Sequence, residues 1–266
     1  MSRSLPHSTT GLARAWPVSA LAVWAAAWRA GRVAPDDVLH TLQDYAQSHE
    51  LDVAPDSGLN PGGTALDLVA LVGQAPSQVV LLPSPGDLQG LPPGPQTGVL
   101  SSAEEVLLLE RPQQPPLALT ARGSIERCRW SVRALAQPLD LSALGGDRGL
   151  GEMEYELREA TGEAAVVIAA LSGPRAGGPA DLRDALTART RTFALELPPH
   201  DRPRADRVLA SAAQLEAIIE LAGAGPGVSA EQLEAAAGQL RRLSALTRRA
   251  RAAAVNDLLR EYRRDG

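Results

Sequence analysis

The chain has 266 residues, an apolar fraction of 44% and a formal net charge of −5, enough to bury one large core or two modest ones and a poor match to general nucleic-acid binding. All 26 basic residues are arginine, so the absence of lysine excludes a Walker A phosphate loop, a kinase strand lysine and a Schiff base to pyridoxal phosphate. The single Cys128 rules out an internal disulfide framework and a cysteine-rich zinc site, and His7, His40, His49 and His200 stand at no metal-ligand spacing, so neither a metal nor another cofactor is expected.

Residues 1–15 are polar and aperiodic and are expected to be a disordered tail. The apolar segment Val18 to Trp28 is too short to span a bilayer and carries no clear cleavage site, which points to a cytoplasmic protein without membrane contact. Leu21, Trp24 and Trp28 recur at helical spacing, Gly31 stops that helix and Pro35-Asp36-Asp37 starts the next. Val38, Leu42 and Tyr45 then share one face, leaving His40 outward and His49 at an exposed helix end. The tryptophans read as core rather than as an aromatic ligand platform. Residues 50–63 read as a Pro/Gly/Asp loop, and Thr64 caps a short helix whose face is Leu66, Val69 and Val72, ending at Gly73.

The apolar run Val79 to Leu82 reads as a buried strand that ends in the loop Pro83-Ser84-Pro85-Gly86-Asp87-Leu88-Gln89-Gly90-Leu91-Pro92. Prolines fix φ and the glycines permit positive φ, so Asp87 is held with little freedom. As a structural turn the loop needs nothing further. As a site at the carboxyl end of a strand, it offers Ser84, Gly86, Asp87 and Gly90 to a ligand. No G-x-S-x-G elbow and no oriented histidine accompany it, so no catalytic residue is assigned.

Residues 95–103 suggest a helical turn and Val106 to Leu109 a strand. Leu117 to Ala121 and Arg127 to Leu135 form a hairpin about Gly123-Ser124. Cys128, Trp130, Val132 and Ala134 point inward, while Arg127, Arg129, Ser131 and Arg133 point out, balanced by Glu104, Glu105, Glu110 or Glu126. Cys128 is then an inert core thiol. Residues 145–149 read as a glycine-rich linker.

No strand is expected from Leu150 onward. Met153, Leu157, Ala160, Ala164, Val167 and Leu171 step along one long helix, with Glu152, Glu154, Glu156 and Glu159 at its positive end. Further helices follow, from Asp181 towards Phe193, through Val208 to Ile219, and from Ser229, boxed with Gln232, to Tyr262. The last carries more arginines than a helix dipole explains, and Arg241, Arg242, Arg248 and Arg249 are its candidate surface for an anionic partner.

The expected fold is α+β: a small, mostly antiparallel sheet flanked by amino-terminal helices (16–144), packed as one compact unit against a carboxyl-terminal antiparallel helical bundle (150–266). The expected function is a non-enzymatic interaction or regulatory role with a protein partner, self-association being open. An enzyme or small-ligand protein built on the Pro85-to-Leu91 loop is the alternative, and weak nucleic-acid contact by the last helix is a third.

The amino-terminal helix, Pro35-Asp36-Asp37, the Pro85-Gly86-Asp87 and Gly90-Leu91-Pro92 loop, the hairpin with Trp130 and the Arg/Ala-rich last helix occur in an order that resembles a family of uncharacterised actinobacterial proteins. The resemblance covers most of the chain. It implies a cytoplasmic origin in a GC-rich bacterium and carries no catalytic or ligand residue.

Overall fold

A computed structural model describes residues 11–57, 59–60, 62–84, 86–136, 139–144, 148–171, 179–224 and 230–266. The chain divides into two compact units. The first holds residues 1–147, 195–202 and 255–266, and the second holds 148–194 and 203–254. Helices and a mixed five-stranded sheet make the protein α+β.

In the first unit α1 (Pro17–Arg29) and α2 (Pro35–Gln43) form the expected hairpin. Most of the apolar surface of α1 is buried, from Val18 through Ala27. That central position takes its first N–H groups out of water, and Glu105 answers them: its carboxylate accepts from Val18 N at 2.9 Å and Ser19 N at 3.0 Å, and from the Ser19 hydroxyl. Glu105 is therefore a buried cap and not a counter-charge to the arginine face. In α2 the Asp37 carboxylate accepts the Ala34 N–H at 2.8 Å.

The stretch read as a loop contains a strand, β1 (Ser48–Val53), followed by a 3₁₀ turn, Pro55–Ser57. A polar sequence hides it: only Leu51 and Val53 are apolar in Ser48 to Val53, an alternation too short to announce a strand. Helix α3 (Ala65–Gln74) begins at the predicted Thr64 cap, which pairs reciprocally with Asp67. Its buried face is Leu68, Val69 and Val72, while Leu66 is exposed. Gly73 is required by contact, since a Cβ there would lie 2.6 Å from the Trp28 ring.

Strands β2 (Gln78–Leu81), β3 (Val106–Leu109), β4 (Leu117–Gly123) and β5 (Arg127–Ala134) run antiparallel to their neighbours, with the short helix α4 (Thr97–Leu100) between β2 and β3. Spatial order is β1-β5-β4-β3-β2, and β1 joins β5 in parallel. The hairpin turns at Gly123, whose φ of +156° and close approach to Arg127 O leave no room for a Cβ. Residues 11–15, expected in a disordered tail, are placed by Gly11 N donating to Gly123 O at 2.9 Å and Ala13 N to Tyr45 O at 3.1 Å. Residues 1–10 lie outside the described residues.

In the second unit the described elements are helices: α5 (Leu150–Leu171), α6 (Pro179–Phe193), α7 (Pro203–Ala224) and the first two thirds of α8 (Ala230–Asp265). Met153, Leu157, Ala160 and Ala164 are buried, as the spacing predicts, and Val208, Ala212 and Leu215 line the inner face of α7. Glu154 ties α5 to α7 through Arg207 at 2.9 Å and Arg204 at 3.3 Å, a pairing that holds its carboxyl below the usual carboxylate range. The linker residues 145–147 and the Ser229 cap lie outside the described residues.

Candidate functional site

The loop after β2 folds back on the strand that it leaves. β2 is an edge strand, so every second residue presents an N–H and a C=O that the sheet does not use. At Val80 both are taken by the Asn256 amide, which accepts from Val80 N and donates to Val80 O, each at 2.8 Å. Two residues on, the Gln89 amide does the same at Leu82, at 3.0 and 2.8 Å. Two further on, Ser84 and Asp87 exchange backbone hydrogen bonds at 2.8 and 2.9 Å. Three successive edge positions are thus closed without a sixth strand.

The turn chemistry explains how. Gly86 (φ +91°), Gln89 (φ +50°) and Gly90 (φ +84°) lie in the left-handed region, which reverses the chain within a few residues. A Cβ at Gly90 would also meet the Leu144 side chain at 2.8 Å. The Asp87 carboxylate accepts the Gln89 N–H at 3.1 Å, fixing the residue whose amide closes Leu82. The structure therefore brings Ser84 and Asp87 together and places Gly86 and Gly90 at the bends. Pro85 lies outside the described residues.

A second cluster sits on the β1–β5 pair. His49, expected at an exposed helix end, is half-buried in β1 and sandwiched between two fixed partners. Its Nδ1 accepts the Trp130 Nε1–H at 3.0 Å and its Nε2 contacts Leu42 O at 3.0 Å, which requires the neutral Nε2–H tautomer. Burial pushes its pKa down from the ordinary 6.5. The arginine face of β5 is balanced by the unforeseen strand: Glu50 pairs with Arg127 at 3.2 Å and Asp52 approaches Arg133 at 3.8 Å. Cys128 is buried and its thiol is pushed up to about 12, first by desolvation and then by the charge of Glu105, so it is inert. A cavity of about 20 Å³ bordered by Arg29, Ser77, Gln78 and Arg263 has room for about one water.

The second unit carries a larger concavity, a groove of about 300 Å³ between α5 and α8. Ala160, Leu243 and Leu246 form its floor. The α5 rim carries Glu156, Glu159 and Glu163, with Tyr155 beside them 60% exposed, and the α8 rim carries Arg242 and Arg249. Glu163 and Arg242 approach to 3.7 Å at one end, so Arg249 lies at the other end with Tyr155 and Glu156. Among the described residues, Glu159, Arg241 and Arg249 are exposed and make no ion pair. Two of the four arginines singled out from sequence therefore line one groove; Arg241 is exposed nearby and Arg248 is half-buried. Glu156 and Glu159 were read as dipole compensation and Glu163 was given no role, although the spacing 156, 159, 163 beside Tyr155 was the available signal. Among the described residues no helix is long and apolar enough to cross a membrane.

Comparison with known proteins follows the same two-part layout. A sequence model of the "Rv1486c-like protein, N-terminal domain" matches residues 18–144, and one of the "Rv1486c-like protein, C-terminal domain" matches residues 151–252. The uncharacterized protein Rv1486c of Mycobacterium tuberculosis (strain ATCC 25618 / H37Rv) is 30% identical over 283 residues, covering 91% of this chain and 97% of the relative. The uncharacterized protein ML1804 of Mycobacterium leprae (strain TN) is 30% identical over 295 residues with the same coverage. No solved structure matches.

Proposed function

We infer that this chain, which belongs to the Rv1486c-like family of actinobacterial proteins, is a non-enzymatic interaction protein that works through the α5–α8 groove. The observation that carries this reading is the groove's build: an apolar floor, an exposed tyrosine and two rims of opposite charge, on which Glu159 and Arg249 make no ion pair among the described residues. A cytoplasmic setting fits the buried, unreactive Cys128.

The ligand-site reading of Ser84, Gly86, Asp87 and Gly90 has less support. Asp87 and Gln89 are engaged in closing the strand edge, and the described cavities lie elsewhere. Nucleic-acid contact through Arg241, Arg242, Arg248 and Arg249 is opposed by the three glutamates on the facing rim, which repel phosphate. A thermal-shift screen of metabolites and nucleotides separates the classes. The interaction reading expects no shift, whereas a ligand that raises the melting temperature of the parent but not of Asp87→Asn would sink it in favour of the loop.

A further inference from the structure

We propose that the α5–α8 groove seats a second copy of this chain, in a two-fold dimer with α5 of each protomer over α8 of its partner. The proposal rests on the interaction reading and names its partner. Charge complementarity selects this occupant. One side of the groove is acidic, with Glu156, Glu159 and Glu163, and the other is basic, with Arg242 and Arg249. A two-fold axis along the groove lays the acidic rim of each copy on the basic rim of the other, so both halves of the contact are attractive at once. A partner of uniform charge would meet one favourable rim and one repulsive one.

Register supports the same arrangement. Within one chain Glu163 stands opposite Arg242, and the rim residues on α5 and α8 cover similar lengths. The axis preserves height along the helices, so Arg242 comes opposite Glu163 of the partner subunit, while Arg249 meets Glu159 of the partner subunit; Glu156 is held by Arg148 of its own chain at 2.6 Å. Glu159 and Arg249 are therefore the informative pair, because neither makes an ion pair among the described residues. Tyr155, 60% exposed, provides an aromatic anchor over the floor of Ala160, Leu243 and Leu246.

Size sets the expected strength. The groove's lining runs from Tyr155 to Glu163 along α5, about 12 Å, so the paired rims form a small contact. A contact of that size predicts a weak, salt-sensitive dimer.

The test is sedimentation equilibrium of the full chain with two single charge reversals. The parent should dimerise reversibly, more weakly at high salt. Glu159→Arg and Arg249→Glu should each raise the dimer dissociation constant about tenfold or more, because each sets like charges against like on both sides. Mixed together, the two variants should form a heterodimer close to the parent in strength, since every cross-contact is again between opposite charges. A parent that stays monomeric at its highest soluble concentration overturns the proposal, as does a dimer insensitive to both reversals or a mixture that fails to pair. None of these results touches the interaction reading, which a ligand-induced thermal shift lost in Asp87→Asn would remove.

Discussion

Two stretches of α8 use polar side chains in opposite ways. From Val255 onward, in the first unit, three of them turn inward and find backbone: Asn256 closes Val80, the Tyr262 hydroxyl donates to Pro199 O at 3.1 Å, and Glu261 accepts the Asp201 N–H at 3.0 Å. Before Ala254, in the second unit, Arg241, Arg242 and Arg249 face outward, and one arginine of the same run, Arg251, is fully buried against Glu216 at 2.6 Å. The lesson is that charge density along a helix says little about contact. The rotation of each residue about the axis decides whether it is a fastening or a free surface.

The largest effect is expected of Arg251→Ala. Removing one member of a buried pair should cost about 3 to 5 kcal/mol, read from denaturant melts, because Glu216 is left poorly solvated. Asn256→Leu comes next, at about 2 to 4 kcal/mol, since it strands a buried N–H and a buried C=O on an edge strand. A cost near zero for Asn256→Leu would mean that the edge is not held by this amide.

The loop distinguishes its own two polar residues. Gln89→Ala removes two hydrogen bonds to Leu82 and should cost about 1 to 2 kcal/mol, while Asp87→Ala removes one and should cost about 0.5 to 1 kcal/mol. The reverse order would show that Asp87 matters beyond this turn. An Asp87→Ala protein at least as stable as the parent would favour a ligand role.

His49 gives a pH signature. Its folded pKa lies below the unfolded value, so the unfolded chain binds the proton first as pH falls. The stability contributed by neutral His49 is full above about pH 6.5, declines below it and is lost once pH passes the depressed folded value. Protonated Nδ1 would also point a hydrogen at the Trp130 N–H. Melting temperatures should therefore fall on acidification below about pH 6.5, and His49→Gln should flatten the decline; an unchanged slope would place the acid-sensitive group elsewhere. Smallest of all, Arg249→Glu should shift the stability of the isolated chain by no more than about 0.5 kcal/mol, so that any large effect of this variant is one of association.

Periodicity and punctuation were enough for α1 to α3, the buried strands β2 and β3, the β4–β5 hairpin and the described helices after Leu150, because apolar spacing and caps such as Thr64 are local properties. The same local logic located the bends at Gly86 and Gly90. Only the tertiary structure decided the rest. β1 is polar in sequence and becomes a strand because β5 supplies a backbone ladder and arginines for Glu50 and Asp52. Glu105 looked like one more surface acid until the buried start of α1 lay beside it. Asn256 and Gln89 are ordinary amides whose role exists only where a strand edge runs past them, 176 and 7 residues away in sequence. The groove likewise required α5 and α8 to meet, since a charge becomes half of a complementary surface only when folding sets the opposite charge across from it.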